Sequence, residues 1–404
     1  MISDWTTRTL GELTEFKSGK TPSKSNPEFW DGHIPWISAS SMHGNRYSYS
    51  KLRITDAAIK AGSIILDGNT ILLLVRGSTL HNRIPVGITT AKVTFNQDVK
   101  AIIPKDESVS PWFLLYWLMS KENELLGMVE NTGIGAGKLD TKVLKNLEIR
   151  IPTKHDQSKL IAFFKSIDDK IHLNHLINQT LESIAQTIFK SWFVDFDPVK
   201  AKMEGREPEG MEAETTALFP DKLVESELGM IPEGWEVRRV NEVFKRLKAP
   251  RRYKKDAVLP SGNVPIFEQG SNILLGYHNE VADFNASMDE PIFIFGDHTC
   301  VMRLSLQPFS VSQNVIPLCG NGVDTTWCYH ATYGIQTFQE YRRHWMELIN
   351  KQVIVPPFDI QRQFRDSIVN MLLMIESLEQ ENLTLSSIRD TLLPKLISGE
   401  IQIQ

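Results

Sequence analysis

Apolar residues recur at alternating steps of three and four along two long stretches of the chain. In the first they stand at Leu160, Phe164, Ile167, Ile171, Leu181, Ala185, Ile188 and Trp192, with Asn174 and Asn178 on the same stripe. In the second they stand at Phe364, Ile368, Met371, Ile375, Leu378, Leu385, Leu392 and Leu396, with Asn382 and Arg389 on the stripe. A period of 3.5 residues predicts helices that pack through one seam. About 33 residues at a rise of 1.5 Å make each rod roughly 50 Å long, and the simplest partner for each is the other. Asn178 and Asn382 fall at equivalent positions. Either they are buried and fix register, as polar residues in such seams do, or both face solvent at a bend.

Elsewhere the pattern changes to short apolar runs between Gly- and Asn-rich turns. Ser63-Ile-Ile-Leu66, Thr70-Ile-Leu-Leu-Leu-Val75, Leu147-Glu-Ile-Arg-Ile151 and Pro291-Ile-Phe-Ile-Phe295 read as strands. A helix is expected from Pro111 to about Glu124, with Trp112, Leu115 and Leu118 on one face. The regions 5–152 and 235–356 are therefore mixed α/β globules, and the fold class is α+β.

The globules share a frame. Trp5, Arg8, Leu10, Glu12 and Leu13 match Trp235, Arg238, Val240, Glu242 and Val243 at a constant offset of 230. Leu144, Ile149, Ile151, Pro152 and Gln157 match Leu348, Val353, Val355, Pro356 and Gln361 at an offset of 204, and the two stripes keep that offset. Both halves open alike and close alike, while the stretch between shrinks from 147 positions to 121. Such a repeat fixes the architecture before any motif is considered. The expected segments are a first globule at 1–153, a long helix at 154–197, a linker at 198–233, a second globule at 234–356, and a second long helix with a tail at 357–404. The linker contains Glu204-Gly-Arg-Glu-Pro-Glu-Gly210 and reads as a surface connection. Trp192, Phe193, Val194 and Phe196 are more apolar bulk than one seam covers; they either cap the helix pair or dock a partner.

Composition narrows the function. The 404 residues are 41% hydrophobic and 23% charged, an ordinary globular balance. No apolar run approaches the roughly 20 residues of a membrane span, and the first residues lack the order of a signal peptide, so a cytoplasmic protein with no membrane partner is expected. Three cysteines, Cys300, Cys319 and Cys328, fit reduced thiols better than a disulfide framework. With a net charge of -5, any nucleic-acid binding must be local. The clearest candidate is the stretch from Phe244 to Lys255, where Lys245, Arg246, Lys248, Arg251, Arg252, Lys254 and Lys255 occur without one acid. It is either a phosphate-contacting patch or a solvated basic loop.

Enzyme motifs fail one by one. Gly19-Lys20-Thr21 lacks the earlier glycine of a phosphate loop, since Thr14 stands there. Gly133-Ile-Gly-Ala-Gly-Lys138 follows no apolar strand and has Leu139 where a Ser or Thr is required. Asn26-Pro27-Glu28-Phe29 departs from the Asn-Pro-Pro-Phe signature of adenine methyltransferases and follows no cofactor loop. His298, Cys300, Cys319, Cys328 and His330 lack the short Cys-x-x-Cys spacing of a structural zinc site. No catalytic or metal-binding residue is assigned.

Three stretches resemble a known family. Asn178 to Lys200, including Ser191-Trp-Phe-Val-Asp-Phe-Asp-Pro198, then Glu204 to Met211, then Ser226-Glu-Leu-Gly-Met-Ile-Pro-Glu-Gly-Trp235, are similar to specificity subunits of type I restriction-modification systems. The closing Leu392-Leu-Pro-Lys-Leu-Ile-Ser-Gly-Glu-Ile401 is similar to that family's terminal element. The resemblance spans essentially the whole chain, strongly in the helices and linker and weakly in the globules. It implies two target recognition domains related by a pseudo-twofold repeat and separated by the long helices, which form an antiparallel coiled coil. It further implies double-stranded DNA as ligand, two methyltransferase subunits and translocating nuclease subunits as partners, and no cofactor on this chain. S-adenosylmethionine, ATP and Mg2+ are expected on the partners. The unequal globules predict an asymmetric, split target.

Base reading calls for polar side chains on loops, with phosphate contacts setting register. In the first domain the candidates are Ser18, Lys20 and Thr21, then Arg76, Ser78, Asn82 and Arg83. In the second they are the basic run to Lys255, His298, Gln313 and Asn314. Two rivals remain: an enzyme in its own right, and a coiled-coil spacer whose globules bind protein.

Overall fold

The computed structural model describes residues 5–132, 135–270 and 272–402. They form two compact units, one of residues 1–173 with 381–404, the other of residues 174–380. The long helices are Lys154–Phe193 and Phe358–Ile397. The division between units therefore falls inside each helix and not at its ends, as the expected segments had it. The reason is packing: each globule buries a stretch of both helices in its own core. Leu160, Phe164, Leu393 and Leu396 belong to the core of the first unit, and Ala185, Ile360, Phe364 and Ile368 to that of the second.

In the first unit the strand Thr6–Thr9 pairs antiparallel with Glu148–Ile151. Inside this frame lies a five-stranded sheet in the order Thr14–Ser18, Val99–Pro104, Ile71–Leu74, Val86–Thr89, Arg46–Tyr47. A four-stranded sheet runs Arg53–Ile54, Trp30–Ile37, Val93–Phe95, Ile65–Leu66. The unbroken apolar run Ile71–Leu74 is buried at every position, as a central strand covered on both faces must be. The helix Pro111–Ser120 stops earlier than expected and a second short helix, Glu122–Gly127, follows. It is not one-faced: Phe113 through Leu118 are all buried, because the helix lies in the middle of the core.

The second unit repeats the frame with other contents. Glu236–Arg239 pairs antiparallel with Gln352–Val355. Within it are a four-stranded sheet, Phe244–Arg246, Val315–Gly320, Ile292–Gly296, Met302–Ser305, and a three-stranded one, Leu274–His278, Val264–Phe267, Ser310–Val311. The helix Thr325–Thr332 takes the place that Pro111–Ser120 has in the first.

The repeated residues now have physical roles. Glu12 and Glu242 each accept the backbone N–H three residues back, at Thr9 (2.8 Å) and Arg239 (3.2 Å), capping a one-turn helix. Gln157 and Gln361, both buried in the first turn of a long helix, act as amide clamps. The Gln157 carbonyl accepts from the Ser110 backbone N–H (3.0 Å), and its amide nitrogen donates to Ser108 O (2.9 Å) and Pro152 O (3.1 Å). The Gln361 carbonyl accepts from Asp324 N–H (2.8 Å) and its nitrogen donates to Pro356 O (2.8 Å). Ser110 and Asp324 are the residues that cap the globule helices.

Within each unit the two helix segments run antiparallel. In the first, Asp168 meets Arg389 and Lys170 meets Glu381; in the second, Asn178 meets Ile375 and Phe189 meets Phe364. Of the seam residues, Leu160, Phe164, Ile167, Asn178, Phe364, Ile368, Ile375 and Asn382 are buried, and Ile171, Leu181, Ile188, Met371, Leu385 and Leu392 are half-buried. Neither asparagine faces solvent; Asn178 Nδ2 donates to Ile375 O at 3.5 Å. Polar ties fasten globule to helix. Buried Asp168 accepts from Asn45 Nδ2 (2.7 Å), Tyr116 OH (2.9 Å) and Arg389 Nη1 (2.9 Å). In the second unit Arg303 makes a two-pronged contact with Glu379.

The stretch 198–233 is more ordered than its composition implies. It holds the helices Asp197–Met203 and Ala213–Leu218 and a hairpin of Leu223–Ser226 with Gly229–Pro232. Val199, Phe219 and Ile231 anchor it by entering the core of the second unit. There Trp192 meets Phe219 edge-on at 5.4 Å, and Phe193 and Phe196 pack against Trp235 at 5.8 and 5.6 Å. These aromatics cap the helix end; Val194 alone of that group is exposed, at 56%.

The clamps generate a prediction. Gln157→Leu and Gln361→Leu each strand buried backbone groups, and each should cost about 2 kcal/mol or more of stability. Hydrogen exchange should locate the loss in the Pro111–Ser120 helix for the first variant and the Thr325–Thr332 helix for the second. Unchanged protection would remove the clamp from the account.

Candidate nucleic-acid interface

The first unit gathers a small basic patch at the edge of its five-stranded sheet. Ser18 and Lys100 are register partners on adjacent strands, and the Lys100 ammonium donates to the Ser18 hydroxyl. Arg76 pairs with Lys138 across the next short ladder. Burial, and then the charge of Arg76, hold Lys100 below its ordinary pKa, so the two cations are close neighbours. Among the described residues no side chain bonds to the head group of Arg76 or Lys138, and such uncompensated cations suit an anionic ligand. Lys100 and Lys138 were not legible as candidates: Lys100 lies in a strand, and Lys138 ends a glycine-rich stretch whose Gly133 and Ile134 are outside the described residues.

Other candidates in this unit are bonded to their own fold. Lys20 Nζ donates to Ala61 O (2.9 Å), Thr21 Oγ1 to Gln97 Oε1 (2.6 Å), and Arg83 Nη2 to Met42 O (2.8 Å). Those groups shape loops. Gly19 has the same kind of duty, since a Cβ there would lie 2.2 Å from Phe95 O. Ser78 opens a 3-10 turn that ends at His81, and the Asn82 N–H closes it on Thr79 O (3.0 Å). Asn26 caps the turn Pro27–Phe29 by accepting from Glu28 N (3.1 Å).

In the second unit the basic run divides. Arg251 donates to Asp283 (2.9 Å), Glu280 and Val281 O (2.6 Å), and Arg252 donates to Ser312 O (3.0 Å) and Val315 O. Both guanidiniums are occupied by the fold, which withdraws them as groups for a ligand. Lys245, Arg246, Lys248, Lys254 and Lys255 stay exposed, with Arg246 lying 5.8 Å over the Trp345 ring.

Asp297, nine-tenths buried, draws the remaining candidates together. Its N–H donates to Asn314 O (2.9 Å), its carbonyl accepts from His344 N (2.7 Å), and its carboxylate accepts from Trp345 N (3.1 Å). Arg343 Nε stands 3.7 Å from the same carboxylate. Arg252, bonded to both Ser312 O and Val315 O, braces the turn that projects Gln313 and Asn314 into solvent. Asn314 takes a left-handed conformation there (φ 61°), which asparagine tolerates. His298 adjoins this turn, with the Tyr341 ring 4.9 Å away. The result is one polar, partly aromatic surface with cations beside it.

No cluster of metal-binding side chains exists among the described residues. Cys328 is fully buried and burial pushes its thiol up, as it does for Cys300, to about 11. His330 lies between Phe189 and Phe364, and burial pushes it down to about 3. Ser310 and His278 are 2.9 Å apart, yet they are no nucleophile and base. Glu280 N–H donates to His278 Nδ1, so the imidazole proton sits on Nε2 and points at Ser310. No described helix is long and apolar enough to cross a membrane.

Residues 2–183 match the family described as Type I restriction modification DNA specificity domain. The chain is 26% identical over 430 aligned residues to the type I restriction enzyme MjaIX specificity subunit of Methanocaldococcus jannaschii, covering 99% of this chain and 94% of that protein. It is 23% identical to the HindI specificity subunit of Haemophilus influenzae, covering 99% of this chain and all of the other. Its fold is similar to that of the type I restriction-modification S subunit of M. genitalium, with a TM-score of 0.51 at 18% identity, over 97% of this chain and 96% of that one.

The buried imidazole makes stability depend on pH. Unfolded, His330 protonates near 6.5; folded, only near 3. Unfolding therefore takes up a proton between those values, and stability falls with falling pH by about 1.4 kcal/mol per unit across that window. His330→Leu should flatten this slope in denaturant titrations at stepped pH; an identical slope would contradict the assignment.

Proposed function

The chain belongs to the family of type I restriction-modification specificity subunits, and on that footing we propose that it is the DNA-reading, non-catalytic component of such a system. Each unit reads one half of a split, asymmetric double-stranded site. Two methyltransferase subunits and, for cleavage, translocating nuclease subunits assemble on it and bring S-adenosylmethionine, ATP and Mg2+ with them.

The observation that supports this reading best is a duplicated frame with unlike contents. The strand pairs, the glutamate caps and the glutamine clamps repeat from unit to unit. What they enclose does not repeat, and in each case it presents polar and cationic side chains on a loop-rich surface. Two scaffolds of one design with different reading faces suit a target whose halves differ. Exposed cations would neutralise phosphates and set register, while Gln313, Asn314, His298 and Arg76 would meet base edges.

The test is to co-express the chain with the adenine methyltransferase subunit of its own genomic neighbourhood and to map methylated adenines in host DNA. The expected result is a split, asymmetric motif, one half of which changes when residues 5–152 are replaced by those of a relative. An assembled complex that leaves no new methylation would overturn the reading. A second prediction concerns the cations: Lys248→Glu with Lys254→Glu should weaken binding to all duplexes alike and flatten the salt dependence by about 0.9 in log–log slope per lost phosphate contact, with no change in unfolding temperature. Arg251→Gln should instead lower that temperature.

A further inference from the structure

At the reading face of the second unit the proton of one imidazole is fixed by its neighbours. Gln269 follows the strand Val264–Phe267, and His298 follows the strand Ile292–Gly296. Gly296 allows the two to lie together, since a Cβ there would stand 2.7 Å from that of Gln269. The His298 backbone N–H points at Gln269 Oε1, 2.9 Å away, and Gln269 Nε2 lies 3.3 Å from His298 Nδ1.

The hydrogen-bond logic has one solution. A backbone N–H only donates, so the amide oxygen must face it and the amide nitrogen must face the ring. An amide nitrogen also only donates, so Nδ1 must be unprotonated and the proton of the neutral ring resides on Nε2. Among the described residues no protein acceptor engages Nε2. The ring rests against Tyr341, itself 75% exposed, beside the projecting Gln313 and Asn314.

We propose that His298 is a specificity-determining residue whose Nε2–H donates to an acceptor on a base edge, and that Gln269 is the positioning residue that fixes this tautomer. The inference rests on the DNA-reading function proposed above. A lone donor selects edges that offer an acceptor in the major groove, purine N7, guanine O6 or thymine O4, and refuses the amino group of cytosine. Gln269, its amide engaged at both ends, has no capacity left to read a base itself.

The experiment uses the complex with its methyltransferase subunit and the duplex bearing its mapped methylation motif. Base acceptors are deleted singly, N7 by 7-deaza purines, guanine O6 by 2-aminopurine and O4 by the thymine analogue lacking it, and binding is measured for the wild type and for His298→Phe, which keeps the ring contact and the backbone bond. One position in one half-site should lose about tenfold in affinity for the wild type and little for the variant. In parallel, 15N spectra of histidine-labelled complex, taken at a pH high enough to leave the rings uncharged, should show the His298 proton on Nε2, giving way to mixed tautomers in Gln269→Leu. No position coupled to His298, or a wild-type ring protonated at Nδ1, overturns the inference while the mapped motif leaves the DNA-reading function standing. A wild-type complex that binds no duplex overturns both.

Discussion

A globule attached to the start of a long helix has to satisfy the backbone groups at the join, where neither element's own ladder reaches. One buried glutamine amide does this in each unit. It offers an acceptor to the capping residue of the globule helix and a donor to the proline carbonyl just before the long helix. An unmade bond at such a site costs far more than a made one contributes, so the geometry of the join tolerates little drift. The strand pairs and the one-turn helices capped by Glu12 and Glu242 align on the same side of this constraint, and the enclosed sheets hang from it.

Once the join is fixed, the contents are held by separate means. The first unit ties helix to globule through Asp168, surrounded by an amide, a phenol and a guanidinium. The second uses Arg303 and Glu379 at positions that do not correspond. Paired and hydrogen-bonded charges of this kind are costly to break singly, and they set each globule on its helices in its own way. The frame is common while the fastening is individual, as expected if the reading surfaces diverged on a fixed support.

How much of this was readable in advance follows the physics of each signal. A period of 3.5 is a local regularity, and every residue on the stripe from Leu160 to Leu396 is buried or half-buried, though the stripe passes over the buried Asp168 and Leu393. The repeated glutamate and glutamine were visible as matches, but not their roles, because a cap or clamp is defined by a partner distant in sequence. The stretch 198–233 was misjudged since Val199, Phe219 and Ile231 are few and without period, yet each reaches the core. The basic run showed its charge but not its direction. Arg251 and Arg252 turn inward to carboxylates and carbonyls, while Lys248 and Lys254 stay outside. Lys100 and Gln269 gave no sign, for each gains its meaning from a residue distant in sequence, Ser18 in one case and His298 in the other.

The antiparallel pairing of the opening and closing strands has one more consequence. Thr6 lies opposite Ile151 and Glu236 opposite Val355, so everything between enters and leaves its support at points about 5 Å apart. Each globule is in effect a closed loop, and the entropy of closing a loop grows only with the logarithm of its length. The difference between 147 and 121 positions is worth about 0.2 kcal/mol on that scale. Length is thus nearly neutral for the support, and an insertion or deletion inside a globule is judged by the globule's own packing alone.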